Sequence, residues 1–364
     1  MTAARPVDSS IQAYHRSFGP KAAILVSSPT LTWEVWPGEG SHVTSATMLI
    51  NGDAVQATYD EASRRLTYRP DRPLFAGDYR VQCKVVVDDR LTVTKDWTFQ
   101  VSTKATPILA EANPQQIQAL NLANGYRENL GLPPMTIEPH LDAAALAHAN
   151  YLAINHRTGH YEKEGEPGFV GITPEDRLEA FGYCGGSWEC VTYNSGGVSE
   201  SVRDLYNAPY HRIPFLQPGS NVPFGSGYAG KNLSIKFGDN STIDSEVSPG
   251  NQQTGIPTSW DGNETPNPLR MHPEAASVVG YPIVFGFFSP DNPTVNLVSA
   301  TLTQNGRTVD CYVNSPDNDD HLQAAVIVIP KRPLTPDTTY HAHVEIKANH
   351  KTIARDWTFT TGAK

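Results

Sequence analysis

The pentapeptide "KDWTF" at residues 95–99 returns near the other end of the chain as "RDWTF" at residues 355–359. Two further pairs accompany it: "SATMLING" (45–52) with "SATLTQNG" (299–306), and "RPL" (72–74) with "RPL" (332–334). Self-similarity between distant segments is the sequence signature of a repeated structural unit. The two ends of the chain are therefore predicted to be copies of one module.

Within each copy, apolar and polar residues alternate along short segments. The segment "DYRVQCKVV" (78–86) and its counterpart "TYHAHVEIKA" (339–348) place every second residue, mostly apolar, on one face. This period of two is typical of strands that bury one face, and "NG", "PD" and "AGD" turns separate the segments. We therefore predict an antiparallel, Ig-like β-sandwich at residues 1–104 and another at 273–364.

Residues 105–240 differ in kind, because helical periodicity appears there. One helix is predicted to begin after Asn113, which is followed by proline, and another after Thr173, which is followed by proline and two acidic residues. Two more helices are expected, one in "PHLDAAALAHANYLAINH" and one around 198–208, while "NLSIKFG" is typical of a strand. This mixture predicts a central α+β domain.

Residues 241–272 show no periodicity and are rich in polar residues, proline and glycine. Such composition is typical of connections, so we predict a linker before the second sandwich, with Trp260 as a side chain able to pack. Its "DGNET" segment (261–265) resembles a calcium loop only in composition, because the alternating oxygen ligands are missing. No site is predicted there.

The overall composition restricts the partners. The chain has 364 residues and a formal net charge of -10. A nucleic-acid-binding protein needs an excess of Lys and Arg to neutralise phosphates, so a nucleic-acid partner is excluded. No apolar run approaches the roughly 18 residues needed to cross a bilayer, so no transmembrane segment is predicted. We expect a monomer.

Two of the four cysteines lie close together in the sequence. Cys184 and Cys190 bracket the loop "CGGSWEC", which is short and Gly-rich enough to close as a disulfide. Disulfides persist in oxidising compartments, so we predict an extracellular or cell-surface location. The opening residues "MTAARPVDSS" show no signal peptide, so export would need a leader that this sequence does not display.

Three short stretches carry the residues that we consider for chemistry: "RTGHYEKEG" with His160, "GGSWECVTY" with Glu189 and "NAPYHRIPFL" with His211. Each lies beside Gly or Pro, where side chains can converge into a cleft. Two imidazoles and one carboxylate form the ligand set of an open zinc site. The alternative is structural, with His211 at a helix end, His160 in a turn and Glu189 in solvent. His148 is interpreted as a side chain on the polar flank of its helix.

The order of these motifs resembles that of a known superfamily. The stretch from "NLANGYRENLGLPPMTIEPHLDAAALAHANYLA" through "GHYEKEGEPGFVGITPEDRLEAFGY", "WECV", "APYHRIPFLQPGSNVPFGSGYA" and "LSIKFG" resembles bacterial CAP proteins (cysteine-rich secretory, antigen 5 and pathogenesis-related), also called SCP-like domains. The resemblance covers residues 115–238. It implies an α-β-α sandwich, usually secreted, with a cleft lined by two histidines and one or two acidic residues. The flanking modules more weakly resemble Ig-like repeats of bacterial surface and exported proteins.

Motif by motif, the resemblance places the two cleft histidines on His160 and His211 and the cleft glutamate on Glu189. Tyr210 and Arg212 are then expected to line the cleft. This chain departs from the family pattern in two respects. The usual tryptophan six residues before the histidine of "HR" is Leu205 here. The usual asparagine after the glutamate is Cys190. The change removes one amide donor from the cleft.

Three classes of function follow. The first is a secreted or cell-surface binding protein whose cleft holds a small ligand, a lipid or a cell-wall component, with or without a divalent metal. The second is a zinc-dependent hydrolase, in which zinc on His160 and His211 activates a water and Glu189 is the third ligand or the base. The third is a structural surface protein with a non-catalytic cleft. No serine or cysteine nucleophile has a motif around it and no organic cofactor is expected, so we rank binding first.

Overall fold

The structure is a computed structural model that describes residues 13–38, 40–239, 242–289 and 292–363. The chain divides into two compact units. The first contains the described residues up to Glu111 together with Pro139–Ser187, and the second contains Ala112–Glu138 and the residues from Trp188 onward. Among the described residues, no helix is both long enough and apolar enough to span a bilayer.

The N-terminal module is a β-sandwich of two sheets. Its strands are β1 (Ala13–Gly19), β2 (Ala23–Val26), β3 (Leu31–Pro37), β4 (Val43–Ile50), β5 (Asp53–Val55), β6 (Thr58–Asp60), β7 (Arg65–Tyr68), β8 (Gly77–Val87) and β9 (Leu91–Thr106). One sheet has the strand order β1-β3-β7-β6 and the other has the order β2-β9-β8-β4-β5. Trp33, Val85 and Phe99 are buried in the core of this module, as the alternation of the strand residues predicts for Val85.

The central segment mixes helices with a four-stranded sheet. Its elements are α1 (Pro114–Glu128), β10 (Thr136–Ile137), α2 (Pro139–Asn155), α3 (Pro174–Ala180), β11 (Ser187–Thr192), α4 (Val198–Asn207), α5 (Pro209–Arg212), β12 (Pro223–Ala229) and β13 (Asn232–Gly238). The sheet has the order β10-β12-β13-β11, and a 3₁₀ helix at Ile213–Leu216 follows α5. Helices α2 and α3 belong to the first unit, whereas α1, α4 and α5 belong to the second.

The predicted helix starts in this segment are confirmed. The Asn113 side chain accepts hydrogen bonds from the first turn of α1, and Thr173 does the same for α3. Both form capping boxes, which satisfy backbone N–H groups that have no partner inside the helix. In the second unit, α1 and α4 bury Ala119 and Val202 in one cluster with Phe237 of β13.

The C-terminal module is also a two-sheet sandwich. Its strands are β14 (Asp244–Ser248), β15 (Gln253–Ile256), β16 (Ser259–Trp260), β17 (Val279–Gly280), β18 (Ile283–Phe288), β19 (Asn296–Gln304), β20 (Arg307–Thr308), β21 (Cys311–Asn314), β22 (Ala325–Pro330), β23 (Thr339–Ala348) and β24 (Lys351–Thr361). The two large sheets have the orders β14-β18-β22-β21 and β15-β24-β23-β19-β20. Strands β16 and β17 pair separately, and a 3₁₀ helix occupies Pro268–Met271.

The predicted duplication is evident in the topology. Each module combines a four-stranded with a five-stranded sheet, and corresponding strands occur in the same order. Strands β8 and β9 of the first module correspond to β23 and β24 of the second. The predicted antiparallel pairing has one exception in each copy, because β2 runs parallel to β9 and β15 runs parallel to β24.

The predicted linker at residues 241–272 is wrong. Strand β14 pairs with β18 and β15 pairs with β24, so these residues supply the first strands of the C-terminal sandwich, as β1 and β2 do in the N-terminal one. Both are short edge strands, "DSEVS" and "QTGI", with too few apolar residues to show a period. Trp260 is buried, in agreement with the expectation that its side chain is able to pack.

Candidate functional site

The site is centred on helix α5, which carries His211. Pro209 stands at the first helical position, where its missing N–H costs nothing, and Ala208 precedes it as an N-cap without a side-chain hydrogen bond. The N–H groups of Tyr210 and His211 in this turn therefore need acceptors from elsewhere in the chain. That requirement determines what lies beside His211.

The acceptor is the carboxylate of Glu264. Its Oε1 lies 3.0 Å from the backbone nitrogen of His211 and 2.6 Å from Nδ1 of the same residue. Its Oε2 accepts the N–H of Tyr210 at 3.2 Å. The Glu264 side chain is fully buried, whereas 17% of the His211 side chain is exposed. One buried carboxylate thus caps the helix and orients the imidazole.

Glu264 is held in place by its own loop, which follows β16. Its N–H donates to the carbonyl of Gly262 at 2.8 Å, and the Asn267 amide donates to the same carbonyl at 2.9 Å. Gly262 has a φ of 76°, a left-handed conformation that favours glycine. The "DGNET" segment, to which the sequence assigned no site, therefore supplies the acidic partner of His211.

Tyr210 links the helix to the C-terminal sandwich. Its hydroxyl donates to Oδ2 of Asp319 at 2.5 Å and accepts a hydrogen bond from Arg270. Burial and the bond to Asp319 raise the pKa of Tyr210. Burial alone would raise the pKa of Asp319, but hydrogen bonds from Tyr210, Asn314 and the His321 N–H hold it below its ordinary value. The network keeps Asp319 ionised and Tyr210 protonated.

A group of possible ligand atoms lies at the edge of this network. Asp319, Asp320 and His321 offer oxygen and nitrogen atoms within 4.8 Å of one another. The guanidinium of Arg270 already contacts both carboxylates, at 2.7 and 2.6 Å. Because the guanidinium already pairs with both carboxylates, the group is better described as part of an ion-pair network than as a metal site.

Arg212 does not line a cleft, contrary to the expectation from sequence. Its side chain is fully buried. The guanidinium donates to the backbone carbonyls of Tyr206 at 2.6 Å, Asn207 at 3.1 Å and Pro282 at 2.8 Å. Its plane also lies over the ring of Tyr281, with 4.4 Å between the guanidinium carbon and the ring centroid. Arg212 therefore connects α4 and α5 to the start of β18 through hydrogen bonds.

Glu189 is buried and paired with a lysine. Its Oε2 lies 2.7 Å from Nζ of Lys236 on β13, and both side chains are almost fully excluded from solvent. The strand that carries Lys236 is predicted from its apolar residues alone, so no sequence pattern indicates this pair. The alternative in which Glu189 is a solvated side chain is wrong.

His160 lies in the first unit, in a loop supported by buried charges. Its backbone carbonyl accepts a hydrogen bond from Arg177 at 2.9 Å. Nearby, Nδ1 of the fully buried His148 lies 2.9 Å from Glu162, and its Nε2 lies 3.1 Å from the Gly159 carbonyl. His148 is therefore a core residue and not part of a polar flank. The joint site of His160 with Glu189 and His211 stays a prediction.

The predicted Cys184–Cys190 disulfide is not formed, because all four cysteines are free thiols. The Cys184 sulfur contacts the carbonyls of Gly182 and Thr30, at 3.7 and 3.8 Å. The Cys190 sulfur contacts the carbonyl of His211 at 3.7 Å. Burial raises the pKa of Cys184 to about 12 and that of Cys190 well above its ordinary value. Both behave as small core side chains with weak S–H donors.

Comparison with known proteins identifies a family for part of the chain. Residues 120–228 match the model of the cysteine-rich secretory protein family, CAP. No protein of curated function matches the sequence. Residues 120–228 are therefore a CAP domain, as the motifs predicted, within a chain of mixed α+β, multidomain architecture. Glu264 lies outside the matched residues, whereas His211 lies inside them.

Solved structures with some likeness include an extracellular protein containing an SCP domain from Bacillus anthracis str. Ames, at 14% identity and a TM-score of 0.31. The alignment covers 48% of this chain and 64% of the Bacillus protein, so this chain spans less than two thirds of that protein's length. CopC from Methylosinus trichosporium OB3b aligns with 24% of this chain and 94% of its own, at 22% identity and a TM-score of 0.20. The Bacteroides ovatus SGBP-B protein, solved with a mixed-linkage heptasaccharide, aligns with 98% of this chain and 71% of its own, at 12% identity and a TM-score of 0.20. At TM-scores this low, none of them bears on the function of this chain.

Proposed function

We propose that this protein acts outside the cell or at its surface and that its CAP cleft binds a small ligand, a lipid or a cell-wall component through the imidazole of His211. The observation that carries the proposal is the pairing of His211 with the buried Glu264. The buried carboxylate holds the imidazole in one orientation, and part of the ring is exposed. The side chain is therefore suited to ligand binding rather than to packing in the core.

The chemistry follows from the two ring nitrogens. The carboxylate of Glu264 lies beside Nδ1, so it favours the form in which Nδ1 carries a proton and donates it. Among the described residues, no hydrogen-bond partner of Nε2 is found. Nε2 is then the atom that contacts a ligand, as an acceptor when the ring is neutral and as a donor when it is protonated. Glu264 acts here as a positioning residue.

The zinc set His160, Glu189 and His211 fits this structure poorly. A carboxylate ligand must offer its charge to the metal, but Glu189 already neutralises the buried ammonium of Lys236 at 2.7 Å. Coordination of a metal by Glu189 would compete with this buried ion pair. We therefore base the proposed function on His211 and Glu264 and assign no metal-dependent step to the cleft.

The test is cosedimentation of the full chain with isolated peptidoglycan sacculi and, separately, with phospholipid vesicles. We expect retention by one of the two, and we expect His211→Ala to weaken it at least tenfold while leaving the circular dichroism spectrum unchanged. His42→Ala, which removes an exposed histidine of the N-terminal module, is the matched control and should bind as wild type does. Equal retention of His211→Ala and wild type overturns the proposal, and retention by neither material rules out both a lipid and a cell-wall component as the ligand.

A further inference from the structure

We propose that the outer face of the C-terminal sandwich binds a divalent transition-metal ion through His341, His343 and Asp356. The two histidines alternate with buried residues on β23, so both project from the face away from the core. Asp356 on β24 is the direct cross-strand partner of His343. The site is separate from the CAP cleft and does not depend on the function proposed for it.

One carboxylate oxygen joins the three side chains. Oδ1 of Asp356 lies 2.9 Å from Nδ1 of His343 and 3.6 Å from Nε2 of His341. The side chains of His341 and Asp356 are 49% and 59% exposed, so both are free to rotate on a fast timescale. A rotation of the His341 ring towards Asp356 brings both imidazoles and the carboxylate into one coordination sphere, with water in the remaining positions.

In the duplicated module, the corresponding carboxylate pairs with a cationic side chain. In the N-terminal copy, Gln82 and Asp96 are the cross-strand pair that corresponds to His343 and Asp356, and Arg80 corresponds to His341. There the Arg80 guanidinium lies 3.0 Å from Asp96 and the Gln82 amide lies 3.3 Å from it. The C-terminal copy keeps the carboxylate but replaces the arginine and the glutamine with two histidines.

Imidazole and carboxylate are the ligands of Zn²⁺ and Cu²⁺ in proteins. The second ring nitrogen of His343 lies 3.1 Å from the hydroxyl of Ser299 on the neighbouring strand β19. In the metal-free protein the Asp356 carboxylate accepts the Nδ1 proton of His343, and the Ser299 hydroxyl can donate to Nε2. A metal ion that binds Nδ1 displaces that proton, after which Nε2 carries a proton and donates to Ser299, the kind of outer hydrogen bond that orients metal-binding histidines. The net charge of -10 further favours a cation over an anion as the ligand.

The experiment is a Cu²⁺ titration followed by electron paramagnetic resonance, with Zn²⁺ as competitor. It uses full-length His211→Ala protein, so that the cleft histidine cannot contribute. The comparison variant adds His341→Arg and His343→Gln, which installs the residues that the N-terminal copy already accommodates beside its aspartate and so preserves the strand pairing. The second comparison is Asp356→Asn.

We expect one Cu²⁺ per chain with hyperfine coupling to two nitrogens, displaced by Zn²⁺. Affinity should fall by at least about 100-fold in the Arg/Gln variant, which loses both imidazole ligands, and by at least about 10-fold in Asp356→Asn, since the loss of outer hydrogen-bond partners alone costs about 10–100-fold. Cu²⁺ binding that is unchanged in the Arg/Gln variant places the ion elsewhere and overturns the proposal. So does a complete absence of Cu²⁺ binding to the folded His211→Ala protein. Neither result affects the cleft proposal, which is tested without metal.

Discussion

The carboxylate of Glu264 lies 2.6 Å from Nδ1 of His211 and also accepts the backbone N–H groups of Tyr210 and His211. His211 belongs to the residues that match the CAP family, whereas Glu264 follows β16 at the beginning of the C-terminal module. The orientation of a CAP-domain histidine therefore depends on chain outside the matched domain. The C-terminal module therefore contributes a residue, Glu264, to the candidate site.

Arg212 should prove structural. Arg212→Ala removes three hydrogen bonds to buried carbonyls, so we expect the free energy of unfolding to fall by at least about 3 kcal/mol, measured by urea denaturation. Arg203→Ala on the exposed side of α4 is the control and should change it by about 0.5 kcal/mol or less. A loss below about 1 kcal/mol for Arg212→Ala would contradict the assignment.

The Glu189–Lys236 pair makes a different prediction. Lys236→Met leaves the Glu189 carboxylate buried without its cation, so stability should fall by about 3–5 kcal/mol. Adding Glu189→Leu removes the buried carboxylate as well and should recover at least half of the loss. The measurement is again urea unfolding of the two variants. If the double variant is no more stable than Lys236→Met alone, the pair is not the main interaction of Glu189.

The thiols should be unreactive in the folded protein. Burial raises the pKa of Cys83, Cys184 and Cys311 to about 12 and that of Cys190 well above its ordinary value. Since the thiolate is the reactive form, labelling by Ellman's reagent at pH 8 should be slow and should accelerate as the pH rises. In denaturant without reductant, four thiols should react. Only two would show that the Cys184–Cys190 disulfide exists after all.

Much of the fold could be predicted because its signals are local. The alternation in "DYRVQCKVV" and the capping residues Asn113 and Thr173 each determine structure within a few positions of themselves. The edge strands β14 and β15 escaped prediction, because what makes them strands is a partner about 40 or 100 residues away rather than their own composition. Tertiary pairing of this kind overrides weak local preference.

The candidate site was only partly predictable for the same reason. The motif around His211 identified the histidine, but Glu264 stands 53 residues later in a segment without periodicity. Arg212 was expected in the cleft because it follows His211, yet its carbonyl partner at Pro282 is 70 residues away. The glutamate of "DGNET" was the available sign of this partner. A carboxylate that becomes buried needs hydrogen-bond donors, and backbone N–H groups can supply them.

The most direct test is a two-bond ¹H–¹⁵N correlation spectrum of the imidazole nitrogens at pH 8, recorded for wild type and for Glu264→Ala. In wild type, His211 should carry its proton on Nδ1, leaving Nε2 as the acceptor. Glu264→Ala should shift the population towards the form protonated on Nε2. A His211 ring already protonated mainly on Nε2 in wild type, or one that Glu264→Ala leaves unchanged, would contradict the role assigned to Glu264.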